Sequence, residues 1–62
     1  MEKLTLSVKE TVDLTGIGRN KILELIHTDP KFPYIRVGRT YRVNANLLQD
    51  YLNQATRMNK AL

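Results

Sequence analysis

Cysteine and tryptophan are absent from this 62-residue chain, and histidine and phenylalanine occur once each. Without thiols there is no disulfide staple and no thiolate metal site. One histidine, His27, makes no ligand cluster. No serine stands with an evident base, and no glycine-rich loop ends in the lysine that cradles phosphates. Apolar runs are short, none approaching the roughly 20 residues that span a bilayer. Met1-Glu2-Lys3-Leu4 opens without the apolar stretch of a signal peptide, so the expected location is the cytoplasm. A chain of this size buries only about 60% of the surface that its unfolded form exposes, which leaves little room for a concave small-molecule pocket. These absences argue against an enzyme, a membrane protein or a small-molecule binder, and no metal or cofactor is expected. With no repeat, linker or low-complexity stretch, residues 1–62 read as one domain.

What the chain does have is positive charge. Ten Lys and Arg stand against six Asp and Glu, a net charge of +4, with a pI near 9.8. That balance suits a polyanionic partner, although many small proteins carry such an excess without one.

Three helices and a hairpin can be read from the pattern. Leu4-Thr5-Leu6 alternates and predicts a short strand or extended lead-in. Ser7 with Glu10 three residues later is a capping box, followed by a helix to about Leu14, with Val8, Val12, Thr11 and Thr15 together on one side. Gly16 stands where a left-handed residue ends a helix. Ile17 is an apolar anchor inside the turn, and Gly18 is an acceptable N-cap for a second helix. There Ile22, Leu25 and Ile26 face a core, while Asn20, Glu24 and His27 fall on the opposite side. Thr28-Asp29-Pro30 stops that helix. Two helices joined by a glycine-containing turn, the second opening on Arg19-Asn20-Lys21, make a helix-turn-helix signature, whose second helix can lie in the major groove of DNA.

Phe32 is expected to plug one end of a thin core. Residues 34–43 predict a β-hairpin around Gly38. A two-residue loop, Gly38-Arg39, mixes apolar and charged groups on both faces. A three-residue loop, Gly38 to Thr40, pairs Val37 with Tyr41, Arg36 with Arg42 and Ile35 with Val43, leaving one face apolar and the other cationic. The three-residue loop is therefore the expected register. Asn44 caps a third helix with an apolar stripe of Leu47, Leu48, Tyr51, Leu52 and Ala55. Residues 57–62 read as a basic, flexible tail. The fold class is α+β, mostly α: a small winged helix-turn-helix with three helices and a two-stranded hairpin wing.

Three groups of residues are candidates for nucleic-acid contact. Arg19, Asn20 and Lys21 project from the second helix start, where Arg pairs with guanine and Asn with adenine. Glu24, one turn on, either accepts from cytosine N4 or repels phosphate. On the hairpin, Arg36 opposite Arg42 is a like-charge pair that costs up to about 1 kcal/mol. Phosphates would turn that repulsion into attraction, with Arg39 at the tip suited to a narrow minor groove. Three well-solvated arginines are the plainer account. At the first helix start, Ser7 and the amides after it can hold a phosphate with help from Lys9, though the capping box already accounts for Ser7. His27 reads as a solvated surface residue. The spacing of Tyr34, Tyr41 and Tyr51 fits core packing better than stacking on single-stranded bases.

The chain resembles the small excisionases, the recombination directionality factors of phages and integrative elements, which share a MerR-like winged helix-turn-helix domain. The resemblance rests on Leu6-Ser7-Val8-Lys9-Glu10, Thr15-Gly16-Ile17-Gly18-Arg19-Asn20-Lys21-Ile22, residues 34–43 and Leu47-Leu48-Gln49-Asp50-Tyr51-Leu52, roughly residues 4 to 54. It implies that Arg19, Asn20 and Lys21 read the major groove and that the wing, with Arg36, Arg39, Thr40 and Arg42, touches backbone and minor groove. It further implies that several copies bind near an attachment site and bend the DNA, so that a tyrosine-type integrase excises the element. The tail, through Arg57, Met58 and Lys60, would touch the integrase or a neighbouring copy. Such proteins use no cofactor and act at the nucleoid of a bacterial or phage-infected cell. Many relatives carry serine or threonine where Gly18 stands, so a phosphate contact from that side chain is missing. Two other functions fit the same domain: a small transcriptional regulator acting at a promoter, and a module whose basic face meets an acidic protein.

Overall fold

A computed structural model describes residues 3–59 and 61–62. The element order is β1 (Thr5–Leu6), α1 (Val8–Thr15), α2 (Arg19–Thr28), β2 (Tyr34–Val37), β3 (Thr40–Asn44) and α3 (Ala45–Arg57). Three helices surround a small antiparallel sheet with strand order β1-β3-β2. The lead-in is thus a true strand: Thr5 pairs with Asn44 and Leu6 with Val43. The hairpin is therefore two strands of a three-stranded sheet.

Each helix starts and stops where local chemistry directs. The Ser7 hydroxyl accepts from the Glu10 amide at 3.0 Å, and the Glu10 carboxylate accepts from the Ser7 amide at 3.0 Å. Gly16, at φ 76°, ends α1 and returns its N–H to the Val12 carbonyl. Only a residue without Cβ holds that left-handed conformation at little cost. The Asp29 N–H donates to the Leu25 carbonyl, which closes α2 just before Pro30. The Asn44 carboxamide oxygen accepts from the amides of Asn46 and Leu47, both at 3.1 Å, and starts α3.

Ile22, Leu25, Ile26, Phe32, Val43 and Leu48 form the buried core, with Leu6, Val8, Val12, Ile17, Tyr41, Tyr51 and Leu52 packed around it. On α1 the fully buried residue is Thr11, between the two valines; its hydroxyl donates to the Ser7 carbonyl at 2.9 Å and so carries no unmet polar group. Phe32 closes one end, edge-on to the Tyr51 ring with centroids 5.1 Å apart. One position departs from the expected stripe of α3: Leu47 is 49% exposed, because only the Leu48 side of that turn meets the sheet. At the chain end, Leu62 packs against the core.

The hairpin register also differs from expectation. Val37 pairs with Thr40, Arg36 with Tyr41, Ile35 with Arg42 and Tyr34 with Val43, which leaves a two-residue loop of Gly38-Arg39. The three-residue loop is expected where one face must be wholly apolar and the other cationic. All four residues of β2 are exposed, however, so burial has nothing to choose between. The turn decides instead. Gly38 has φ 61°, and Asn59 is the only non-glycine residue with positive φ among the described residues. Glycine with positive φ at the first loop position alone is the pattern of a II′ hairpin turn. The like-charge pair of Arg36 and Arg42 is consequently absent.

Candidate nucleic-acid interface

The two helix starts differ in what they offer an anion. At α1 the capping box satisfies the first turn internally. Glu10 also pairs with Lys3, which, with the Ser7 amide, lowers its carboxyl pKa to about 2. A fixed negative charge therefore sits at the start of α1, beside the engaged hydroxyl of Ser7 and the exposed Lys9. At α2 the Gly18 cap contributes no side-chain hydrogen bond, and no acidic residue lies in the first turn. The free amides of that turn and the helix dipole both present positive potential there.

Arg19 and Asn20 are exposed, and Lys21 is half-buried. With Ile22, Leu25 and Ile26 in the core, Asn20, Glu24 and His27 form the middle of the solvent face, one above another at i, i+4 and i+7. Glu24 is not a bare negative charge: Lys21 Nζ donates to its Oε2 at 3.4 Å.

The hairpin divides its cations. Alternation along the strands puts Tyr34, Arg36, Tyr41 and Val43 on one face and Ile35, Val37, Thr40 and Arg42 on the other. Arg42 is held to β1, its Nε donating to the Thr5 hydroxyl at 3.2 Å and its Nη2 to the Thr5 carbonyl at 3.4 Å. The Thr40 hydroxyl donates to the Val37 carbonyl at 3.0 Å, and Arg36 Nε donates to the Gly38 carbonyl at 3.1 Å, which fastens the tip from both sides. Arg39 lies exposed at that tip and makes no hydrogen bond or ion pair among the described residues. Sequence reasoning grouped Arg36 and Arg42 on one cationic face; the structure places them on opposite faces, with Arg39 between.

Helix and hairpin meet at two rings. The His27 imidazole stands edge-on to Tyr41, centroids 5.6 Å apart and planes at 88°. Tyr41 in turn meets Tyr34 at 5.9 Å and 71°. The solvent face of α2 thereby runs into the hairpin face that carries Arg36. His27 is exposed, as its place on the polar side of α2 predicts, and its i, i+7 relation to Asn20 puts it in this line. Of the tail residues, Arg57 ends α3 and Met58 is exposed. Lys60 lies outside the described residues. No described helix is long and apolar enough to cross a membrane.

A family model described as a helix-turn-helix domain matches residues 5–56. No curated protein and no solved structure matches the chain.

Proposed function

The chain belongs to the helix-turn-helix domain family, and on that premise we propose that it binds double-stranded DNA sequence-specifically and acts as an excisionase. In this reading α2 lies in the major groove. Arg19 and Lys21 flank Asn20, whose carboxamide reads adenine, and Glu24, its charge offset by Lys21, accepts from cytosine N4. Arg39 at the wing tip enters the adjacent minor groove, while Arg36, Thr40 and Arg42 line the strands that carry it. At the start of α1, Lys9 supplies a phosphate contact beside the Ser7 cap. Several copies occupy neighbouring sites at an attachment site and bend the DNA for an integrase, with Arg57, Met58 and Lys60 facing the integrase or the next copy.

The observation that carries the reading is the edge-on contact of His27 with Tyr41, which sets the solvent face of α2 against the hairpin face that carries Arg36. A helix face and a ribbon so joined can straddle one strand of a duplex. Footprinting the intact protein on attachment-site DNA tests the proposal. The expected result is repeated protection beside the attachment site, with slowed migration of bent fragments. Protection at a promoter alone would replace excision by transcriptional control. An affinity that does not fall with salt would replace DNA by an acidic protein, since neutralising several phosphates gives a log–log slope near −0.9 per phosphate.

A further inference from the structure

We propose that His27 and Tyr41 form a phosphodiester-binding junction, which takes the sugar–phosphate strand that passes between α2 and the hairpin. The inference rests on the DNA-binding reading above and assigns a further contact within it.

The argument is geometric. Adjacent major and minor grooves are separated by one backbone strand, so the surface that links a groove-bound helix to a groove-bound ribbon must meet that strand. Here the link is the edge-on pair of His27 and Tyr41, with Tyr34 behind and Arg36 directly across the ladder from Tyr41. His27 lies seven residues beyond Asn20 on the same side of α2, about 10 Å further along its axis. The major groove is about 8.5 Å deep and 12 Å wide. When Asn20 reaches a base edge, His27 therefore stands at the rim, where phosphates are.

The chemistry fits the place. Neither the His27 imidazole nor the Tyr41 and Tyr34 hydroxyls have a hydrogen-bond partner among the described residues. A phenol donates one O–H to a phosphate oxygen, and an imidazolium donates N–H and adds a charge. The ring packing fixes both groups, so little side-chain entropy is lost on contact. Around His27 the ionisable groups are Lys21 and Glu24 on its own helix, with Asp29 and Lys31 just beyond it, the Asp29 carboxylate turned to the Tyr51 hydroxyl and the Lys31 N–H. From the hairpin come Tyr34, Tyr41 and Arg36. Packed α1 carries Lys9, Glu10 and Asp13, with Glu10 turned to Lys3 and Ser7. The permanent cation at Arg36 also favours an anion at this junction.

Histidine is the side chain that changes charge across neutrality, which makes the junction separable from the arginine contacts. The test is fluorescence anisotropy of the intact protein on a duplex holding its footprinted site and on a random duplex, at about pH 6 and pH 8 across a salt series. Expected for the unaltered chain is several-fold tighter binding at the lower pH on both duplexes, with a salt slope steeper by about one. His27→Gln should abolish the pH difference by weakening both duplexes at the lower pH, where the imidazolium charge is lost. Tyr41→Phe, which keeps the ring, should weaken both duplexes by a similar factor. A pH difference that survives His27→Gln overturns the proposal. So does a loss confined to the cognate duplex, which would make His27 a base reader. No binding to either duplex at either pH would overturn the DNA reading itself, a result distinct from a pH-independent bound state.

Discussion

The Tyr51 hydroxyl donates to Asp29 Oδ2 at 2.7 Å and ties the middle of α3 to the residue that ends α2. Asp29 also accepts the Lys31 N–H at 2.9 Å, so one carboxylate holds the helix end, the following turn and the third helix together. Tyr51→Phe keeps the ring against Phe32 and removes only the donor. The expected loss is about 1–2 kcal/mol, since a hydrogen bond to a charged group is worth more than a neutral one. In a domain this small that lowers Tm by several degrees, and DNA affinity well below Tm should not change. Burial first, then the hydrogen bond to Asp29 and its charge, push the phenol pKa well above its ordinary value near 10. The neutral phenol is the form that folding favours. Its contribution is fully present below that ordinary value and is lost as pH rises beyond it, so wild type and Tyr51→Phe should converge in stability in strong alkali. Thermal melts on both proteins across that range check the prediction.

A second prediction concerns acid. Lys3, then the Ser7 amide, hold the Glu10 carboxyl down to about 2 from an ordinary value of 4.5. A depressed carboxyl stabilises the fold above its unfolded pKa and loses that effect as pH falls through the folded value. Glu10→Gln preserves a hydrogen-bonding cap at the third helical position but discards the charge. Its Tm should lie below wild type at neutral pH and should fall less between 4.5 and 2. Added salt should narrow the gap, because the group is partly exposed. A parallel pair of Tm-versus-pH curves would show that the charge contributes nothing there.

Helix boundaries and the core were legible because each is set by neighbours in sequence. Ser7 with Glu10, Gly16, Pro30 and Asn44 act within one turn, and Ile22, Leu25 and Ile26 share a side by period alone. The hairpin register was not legible, because the argument assumed a buried face that β2, at the sheet edge, does not have. A local fact, the left-handed φ of Gly38, fixed it instead. The short strand at residues 4–6 was legible as a strand or extended lead-in, but its pairing was not, for the opposite reason: two residues carry too little pattern to announce a partner in β3, where Val43, 37 residues on, stands opposite Leu6. The residues of the proposed interface were legible as types, while their division among faces depended on that register. The meeting of His27 with Tyr41 joins elements 14 residues apart and has no local signature.

Asn20 gives the sharpest test of base reading. Its side chain is exposed on the solvent face at the start of α2 and makes no hydrogen bond among the described residues, so its removal leaves the fold intact. A bidentate carboxamide contact to adenine is worth about 1–3 kcal/mol of discrimination. Asn20→Ala should cost that much at the cognate site and relax one base position, with little change on random DNA. Binding selections on a randomised site, read by sequencing, would reveal the relaxed position. An equal loss on random and cognate duplexes would mean that Asn20 serves the backbone.

Arg39 tests the wing separately from the helix. Its neighbours fasten the turn, Arg36 through the Gly38 carbonyl and Thr40 through the Val37 carbonyl, so the Arg39 side chain is free to leave without loosening the tip. Arg39→Ala should therefore melt like wild type. On DNA it should weaken binding to every sequence by a similar factor and flatten the salt slope by about one unit, because one cation no longer displaces counterions. Arg42→Ala is the informative companion. Its guanidinium is anchored to Thr5, so that change should lower Tm as well as affinity. If Arg39→Ala leaves the salt slope unchanged while Arg42→Ala lowers it, the contact belongs to the outer face of the hairpin and the tip stays in solvent.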